Sequence, residues 1–147
     1  MSRKAYTIAV LTSLAVLAAA VVVAQAPAPS FRTVRVQSLY AYVVGLNTER
    51  EDSYNIAPSE PVPVQVGEEV EVSLYGETGG DEDAPVDAVF RVAAGRDRLQ
   101  IIETGDNWVS VRIKGGGGGV AQLGYEVQGD YSMRPGLLEG RITFEIQ

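Results

Sequence analysis

Apolar side chains fall on every second position in almost every hydrophobic stretch of this chain after residue 33. A period of two is the repeat of a strand with one face buried and the other wet. The clearest case is Asn107 to Val127, NWVSVRIKGGGGGVAQLGYEV. Val109, Val111 and Ile113 share one face of the first run, and Leu123, Tyr125 and Val127 share one face of the second. Five consecutive glycines, Gly115 to Gly119, join the runs, so the stretch predicts a β-hairpin with an open loop.

The same text recurs along the chain. Val62, Val64 and Val66 alternate up to Gly67-Glu68, and Val70, Val72 and Leu74 alternate beyond it. This predicts a tight turn joining two strands, or a strand and its continuation. Pro61 and Pro63 confine the first of these to a sheet edge, because proline has no N–H to donate. Val86, Ala88, Phe90 and Val92 form an inward face, with Asp87, Val89 and Arg91 outward. Leu99 to Ile102 reads as a short strand, and Ile142, Phe144 and Ile146 as the last one. Between Thr33 and Gly45 the alternation of Val34 and Val36 resumes after Gln37-Ser38 as either Leu39, Ala41, Val43 or Tyr40, Tyr42, Val44, a change of phase that predicts a bulge or a strand that switches sheets. Asn47 to Glu60 is polar, charged and marked by Pro58, Gly76 to Pro85 is acidic and glycine-rich, and Gly129 to Gly140 carries a Pro135-Gly136 turn signal, so all three read as loops. The expected fold is therefore all-β, an antiparallel two-sheet sandwich of about seven or eight strands over residues 33–147.

Residues 1–24 are of another kind. Arg3 and Lys4 precede an uncharged, largely apolar run from Ala5 to Val23, and Val22-Val23-Ala24 places small or modest side chains where a leader peptidase cuts. This predicts an N-terminal hydrophobic helix, either a signal peptide cleaved after Ala24 or a retained membrane anchor, since the run approaches the ~20 residues that span a bilayer. Residues 25–32, QAPAPSFR, form a Pro/Ala linker. The expected location is outside the cytoplasm: extracellular, at the cell surface or periplasmic. Arg3-Lys4-Ala5 running directly into an apolar helix, with an all-β domain behind it, also resembles the layout of archaeal type IV pilins and flagellins. That resemblance implies a filament subunit whose apolar helix is kept.

The chain has no cysteine and no histidine. Disulfides, thiolate nucleophiles, Ser-His-Asp and Cys-His arrangements, and the usual general base at neutral pH are all excluded. An exported domain of this composition has to be held by its hydrophobic core. Twelve basic residues face 19 acidic ones, and without Arg3 and Lys4 the balance becomes 10 against 19, a net charge of -9. Such a surface repels phosphate backbones, so no nucleic-acid partner is expected, and contact with membrane is expected only through residues 6–24. Cations or basic partners fit better.

Val64 to Gly76 (VQVGEEVEVSLYG), Phe90 in the next strand, the glycine-rich turn before Val120 and the terminal ITFEI from Ile142 to Ile146 are similar in order to bacterial immunoglobulin-like surface domains. Cohesin-type modules share the early V-G-x-x-V-x-V text. The resemblance covers roughly residues 33–147. It implies an immunoglobulin-like sandwich and a non-enzymatic role.

Few residues suggest chemistry. The glycine run fails as a phosphate loop, because Val120 stands where G-x-G-x-x-G needs glycine and no helix follows. Asp81, Asp83 and Asp87, with Glu82, form the densest acidic stretch and are the candidate ligands for Ca²⁺, although the D-x-D-x-D-G spacing of a calcium loop is missing. No other cofactor is implied. If Val109 and Val111 face inward, Trp108, Ser110 and Arg112 face outward. Trp108 then either caps the sandwich edge or stands exposed. An exposed ring, with Tyr40, Tyr42, Tyr75 or Tyr131 nearby, suits stacking on a sugar or a protein. Trp108, Arg112 and Tyr131 are the candidate binding residues, and Tyr125 is expected in the core. The sequence thus predicts an exported binding or structural module whose partner is a protein, a glycan or another copy of itself.

Overall fold

Two strands that the sequence joins most plainly do not pair with each other. In the computed structural model, which describes residues 33–115 and 118–147, β9 (Trp108–Ile113) lies between β5 (Glu69–Glu77) and β8 (Leu99–Thr104). In contrast, β10 (Gly119–Val127) lies between β7 (Ala88–Ala94) and β12 (Glu139–Ile146). The expected hairpin is replaced by a crossover, and the glycine run links one sheet to the other. The buried faces are nevertheless as expected, with Val109, Val111, Ile113, Leu123 and Tyr125 all buried and Val127 half-buried. Alternation reports which face is dry and carries no information about which strand lies alongside.

The larger sheet has the order β3-β2-β5-β9-β8, where β2 is Ser38–Gly45 and β3 is Glu51–Asn55, with β6 (Ala84–Pro85) on the end of β5. The smaller has the order β4-β12-β10-β7, with β4 (Val62–Val64) at its edge, where Pro63 requires it to be. The turn at Gly67, φ +89°, carries the chain from β4 in one sheet to β5 in the other. Two pairings depart from the antiparallel expectation: β4 runs parallel to β12, and β1 (Val34–Arg35) runs parallel to β11 (Tyr131–Ser132). The phase change after Val36 marks the passage from that small two-stranded sheet into β2, so the sheet switch is real.

Strand β3 corrects the expected loop at Asn47 to Glu60. It pairs with β2 from Tyr40↔Asn55 to Val44↔Glu51, yet four of its five residues are exposed. An edge strand with almost no buried face leaves no apolar alternation to read. The short β6 and β11, and a 3-10 turn at Pro135–Leu137, likewise sit inside expected loops, each too brief to show a period.

Val34–Gln147 forms one compact unit with a single core to which both large sheets contribute. Val43, Val72, Leu74, Val109 and Val111 enter it from the larger sheet, and Val62, Val64, Leu123, Ile142, Phe144 and Ile146 from the smaller. Burying each such side chain contributes about 1.5–3 kcal/mol. The expected leader helix at 1–24 and the linker at 25–32 lie outside the described residues. Among the described residues no helix is long and apolar enough to cross a membrane.

Candidate functional site

The residues that alternate with the core of the larger sheet line up across its outer surface. One row runs Asn55, Tyr40, Tyr75; the next runs Ser53, Tyr42, Ser73, Trp108; the third runs Glu51, Val44, Glu71, Ser110, Glu103. Four aromatic rings, all half-buried, therefore share one face. Tyr40 and Tyr75 stack with centroids 5.8 Å apart and planes 19° from parallel, and Tyr42 meets Tyr75 edge-on at 6.3 Å. Such pairs contribute about 0.5–1.5 kcal/mol beyond the area they bury.

Two of the phenol hydroxyls are also held. Tyr40 donates to Asp83 Oδ2 at 2.7 Å, and Tyr42 donates to Glu51 Oε1. Burial, reinforced by the hydrogen bond and charge of Asp83, pushes the Tyr40 hydroxyl up to about 12. The hydrogen bond to Glu51 raises that of Tyr42. Tyr40 and Tyr42 are thus held both by ring contacts and at the hydroxyl, and each stays a neutral donor throughout the ordinary pH range.

Acidic side chains surround the rings. Glu51, Glu69, Glu71, Glu77 and Glu103 occupy outward positions on these strands, against Arg112 as the single basic one. Arg112 is spoken for, with Nε and Nη2 at 2.7 and 2.6 Å from Glu69 Oε1. At the Tyr40 end the surface opens into a groove of about 380 Å³ lined by Tyr40, Ser53, Asn55, Glu60, Glu77 and Asp83.

The candidate residues fare unequally. Trp108 faces outward on this surface, but its indole lies over Gly105, where a Cβ would come within 2.0 Å of Nε1. Gly105→Ala is accordingly expected to displace the ring and cost about 1–3 kcal/mol. Trp108 is the single tryptophan, so its fluorescence reports the displacement directly. Ser110, expected outward, is 5% exposed, because its short side chain sits between Glu71 and Glu103 in the same row. Tyr131 serves elsewhere: its hydroxyl accepts the Asp87 N–H at 3.1 Å and donates to the Pro85 carbonyl at 3.4 Å, bracing the β6–β7 segment.

Asp81, Asp83 and Asp87 are not gathered. Asp83 turns to Tyr40, Asp81 and Asp87 are exposed, and among the described residues no three acidic side chains converge as metal ligands. The partnership of Tyr40 with Asp83, 43 positions apart, had no local signal in the sequence.

Tyr125, in the core at 4% exposure, is pushed up to about 12 by burial. The folded state holds the Tyr40 and Tyr125 protons more tightly than the unfolded chain, whose tyrosines titrate near 10. Their contribution is complete below about pH 10 and is lost as pH rises through about 12. Tyr125→Phe should flatten the loss of stability across that window, as measured by denaturant unfolding at neutral and alkaline pH.

A second polar feature lies where the β2–β3 connection meets the β4–β5 turn. Glu68, 6% exposed, pairs with Arg50 Nε at 3.0 Å and accepts from Thr48 Oγ1 at 3.3 Å and Gln65 N at 3.2 Å. Arg50 Nη1 is buried with no partner. Comparison with protein-family profiles, with curated proteins and with solved structures finds no match for this chain.

Proposed function

We propose that residues 33–147 form an immunoglobulin-like sandwich, exported behind residues 1–24, that acts without catalysis as a binding module outside the cytoplasm. Strand order supports the immunoglobulin-like reading. By position in the sheets, β2-β5-β9-β8 correspond to A-B-E-D and β12-β10-β7 to G-F-C, while β3 is an added edge strand between β2 and β4 in the chain, and β4 pairs parallel with β12. The basic start and apolar run of residues 3–23 support export. The absence of histidine and cysteine supports a non-catalytic role.

The observation that carries the binding reading is the row of half-exposed rings on the larger sheet. Tyr40, Tyr42 and Tyr75 are already held by ring contacts, the first two by hydroxyl hydrogen bonds as well, and rings so held lose little freedom when a partner covers them. Labelled mature protein is expected to bind intact cells of its source saturably. Tyr40→Ala with Tyr75→Ala should weaken that binding at least about tenfold. Val89→Asp, at an exposed position on the other sheet, should leave it unchanged. Equal binding by all three proteins would remove the face from the proposal. Intact mass of the native protein tests the export half: an N-terminus at Gln25 supports a freed domain, one at Ala5 or Tyr6 supports a filament subunit with a retained helix, and an unprocessed chain supports an anchor.

A further inference from the structure

We infer that the tyrosine face receives a basic protein segment, with an arginine side chain entering the groove between the Tyr40 ring and the carboxylates of Glu60, Glu77 and Asp83. The inference rests on the binding reading above and adds the chemistry of the partner.

Shape and composition of the groove select the occupant. Its volume of about 380 Å³ stands at the low end of ligand pockets, roughly 300–1,000 Å³, which suits one long side chain better than an extended ligand. Three of its six lining residues are carboxylates and none is basic. An uncompensated acidic lining calls for a cation. A bare metal ion needs its oxygen ligands within about 2.3–2.6 Å of one point, and these carboxylates do not converge in that way. A guanidinium fits carboxylates that are spread apart, because its five N–H donors point outward in a plane and satisfy acceptors on more than one side.

The aromatic wall adds to this. Tyr40, stacked against Tyr75, is the aromatic residue of the groove lining, and a planar cation stacks on a tyrosine ring. The Tyr40 hydroxyl occupies Asp83 Oδ2 and leaves Oδ1 to accept. Arginine is favoured over lysine because its flat fork both stacks and bonds bidentately, whereas an ammonium does so only as a point charge. Beyond the groove, Glu51, Glu71 and Glu103 extend the negative surface along the sheet, and Arg112 offsets only Glu69. The rest of a basic segment has complementary charge to lie on, and the field steers it there.

The test uses the full domain and a dye-labelled hexa-arginine peptide, read by anisotropy at low and moderate salt. Glu77→Gln with Asp83→Asn should weaken binding at least about tenfold. Glu126→Gln with Glu139→Gln makes the same change in net charge on the other sheet and should weaken it less than about twofold. Tyr40→Leu, which removes the ring, should cost about fivefold, and Tyr40→Phe, which keeps it, much less. Hexa-lysine should bind more weakly than hexa-arginine. All five positions are exposed or half-buried, and thermal unfolding of each variant controls for folding. Equal losses from the two charge-matched variants would reduce the effect to net charge and overturn the inference, as would tighter binding of a neutral oligosaccharide than of the arginine peptide. If cell binding depends on Tyr40 and Tyr75 while the peptide result is negative, the face stands and the basic partner falls. If cell binding ignores both tyrosines, the face itself falls.

Discussion

Phe144→Ala is expected to lower stability by about 3–5 kcal/mol. Phe144 heads the fully buried side chains by volume and is 0% exposed on β12, between β4 and β10. Its register partners are Val62 and Ala121, both 0% exposed and both smaller. The ring fills space its neighbours leave, and the paired strands on either side hold that space open when the ring is gone. The cost is therefore a cavity as well as lost transfer energy. Domains have only about 5–15 kcal/mol in total, and this one has no disulfide to fall back on. Urea unfolding should show a large drop in midpoint at unchanged slope. A loss below about 1 kcal/mol would mean that the two sheets do not share a tightly packed core.

Glu68→Ala is expected to cost a similar amount, about 3–5 kcal/mol, for a different reason. The Glu68 side chain is 5% exposed and that of Arg50 18%, so removing the carboxylate strands a largely buried guanidinium. One of its nitrogens, Nη1, is unpartnered already. The substitution also releases Thr48 and the Gln65 N–H, which ties the loop before β3 to the turn before β5. Replacing both partners with apolar residues, Arg50→Met with Glu68→Leu, should recover most of the loss, because the penalty belongs to the uncompensated charge and not to the missing bond. A double variant as unstable as Glu68→Ala would assign the loss to the hydrogen bonds around the turn.

Only the first of these features was visible beforehand. Phe144 is in phase with Ile142 and Ile146, so its burial could be read from spacing alone. Glu68 gave no such sign: it sits in a Gly-Glu turn, and only the approach of Arg50 from 18 positions earlier buries it as an ion pair. The tyrosine face shows the same division. Tyr75 and Trp108 are legible as outward residues beside a buried phase, whereas Tyr40 and Tyr42 compete with Leu39, Ala41 and Val43 for the inward phase until the structure buries the latter. That they belong together follows from pairing β2 with β5 and β5 with β9. Tyr131, equally aromatic and equally suggestive in the text, is drawn to the Asp87 and Pro85 backbone instead.

The sequence by itself therefore determined the all-β class, the buried faces of β4, β5, β7, β9, β10 and β12, the edge position of β4 and the reliance on a core without cross-links. These follow from side-chain period, from proline's missing donor and from composition, all local properties. Tertiary structure alone decided that β9 and β10 part company across the glycine run, that an exposed polar stretch becomes edge strand β3, and that Tyr40 meets Asp83. Strand partners are chosen by competition among backbone edges far apart in the chain, and a period of two is the same whichever neighbour wins.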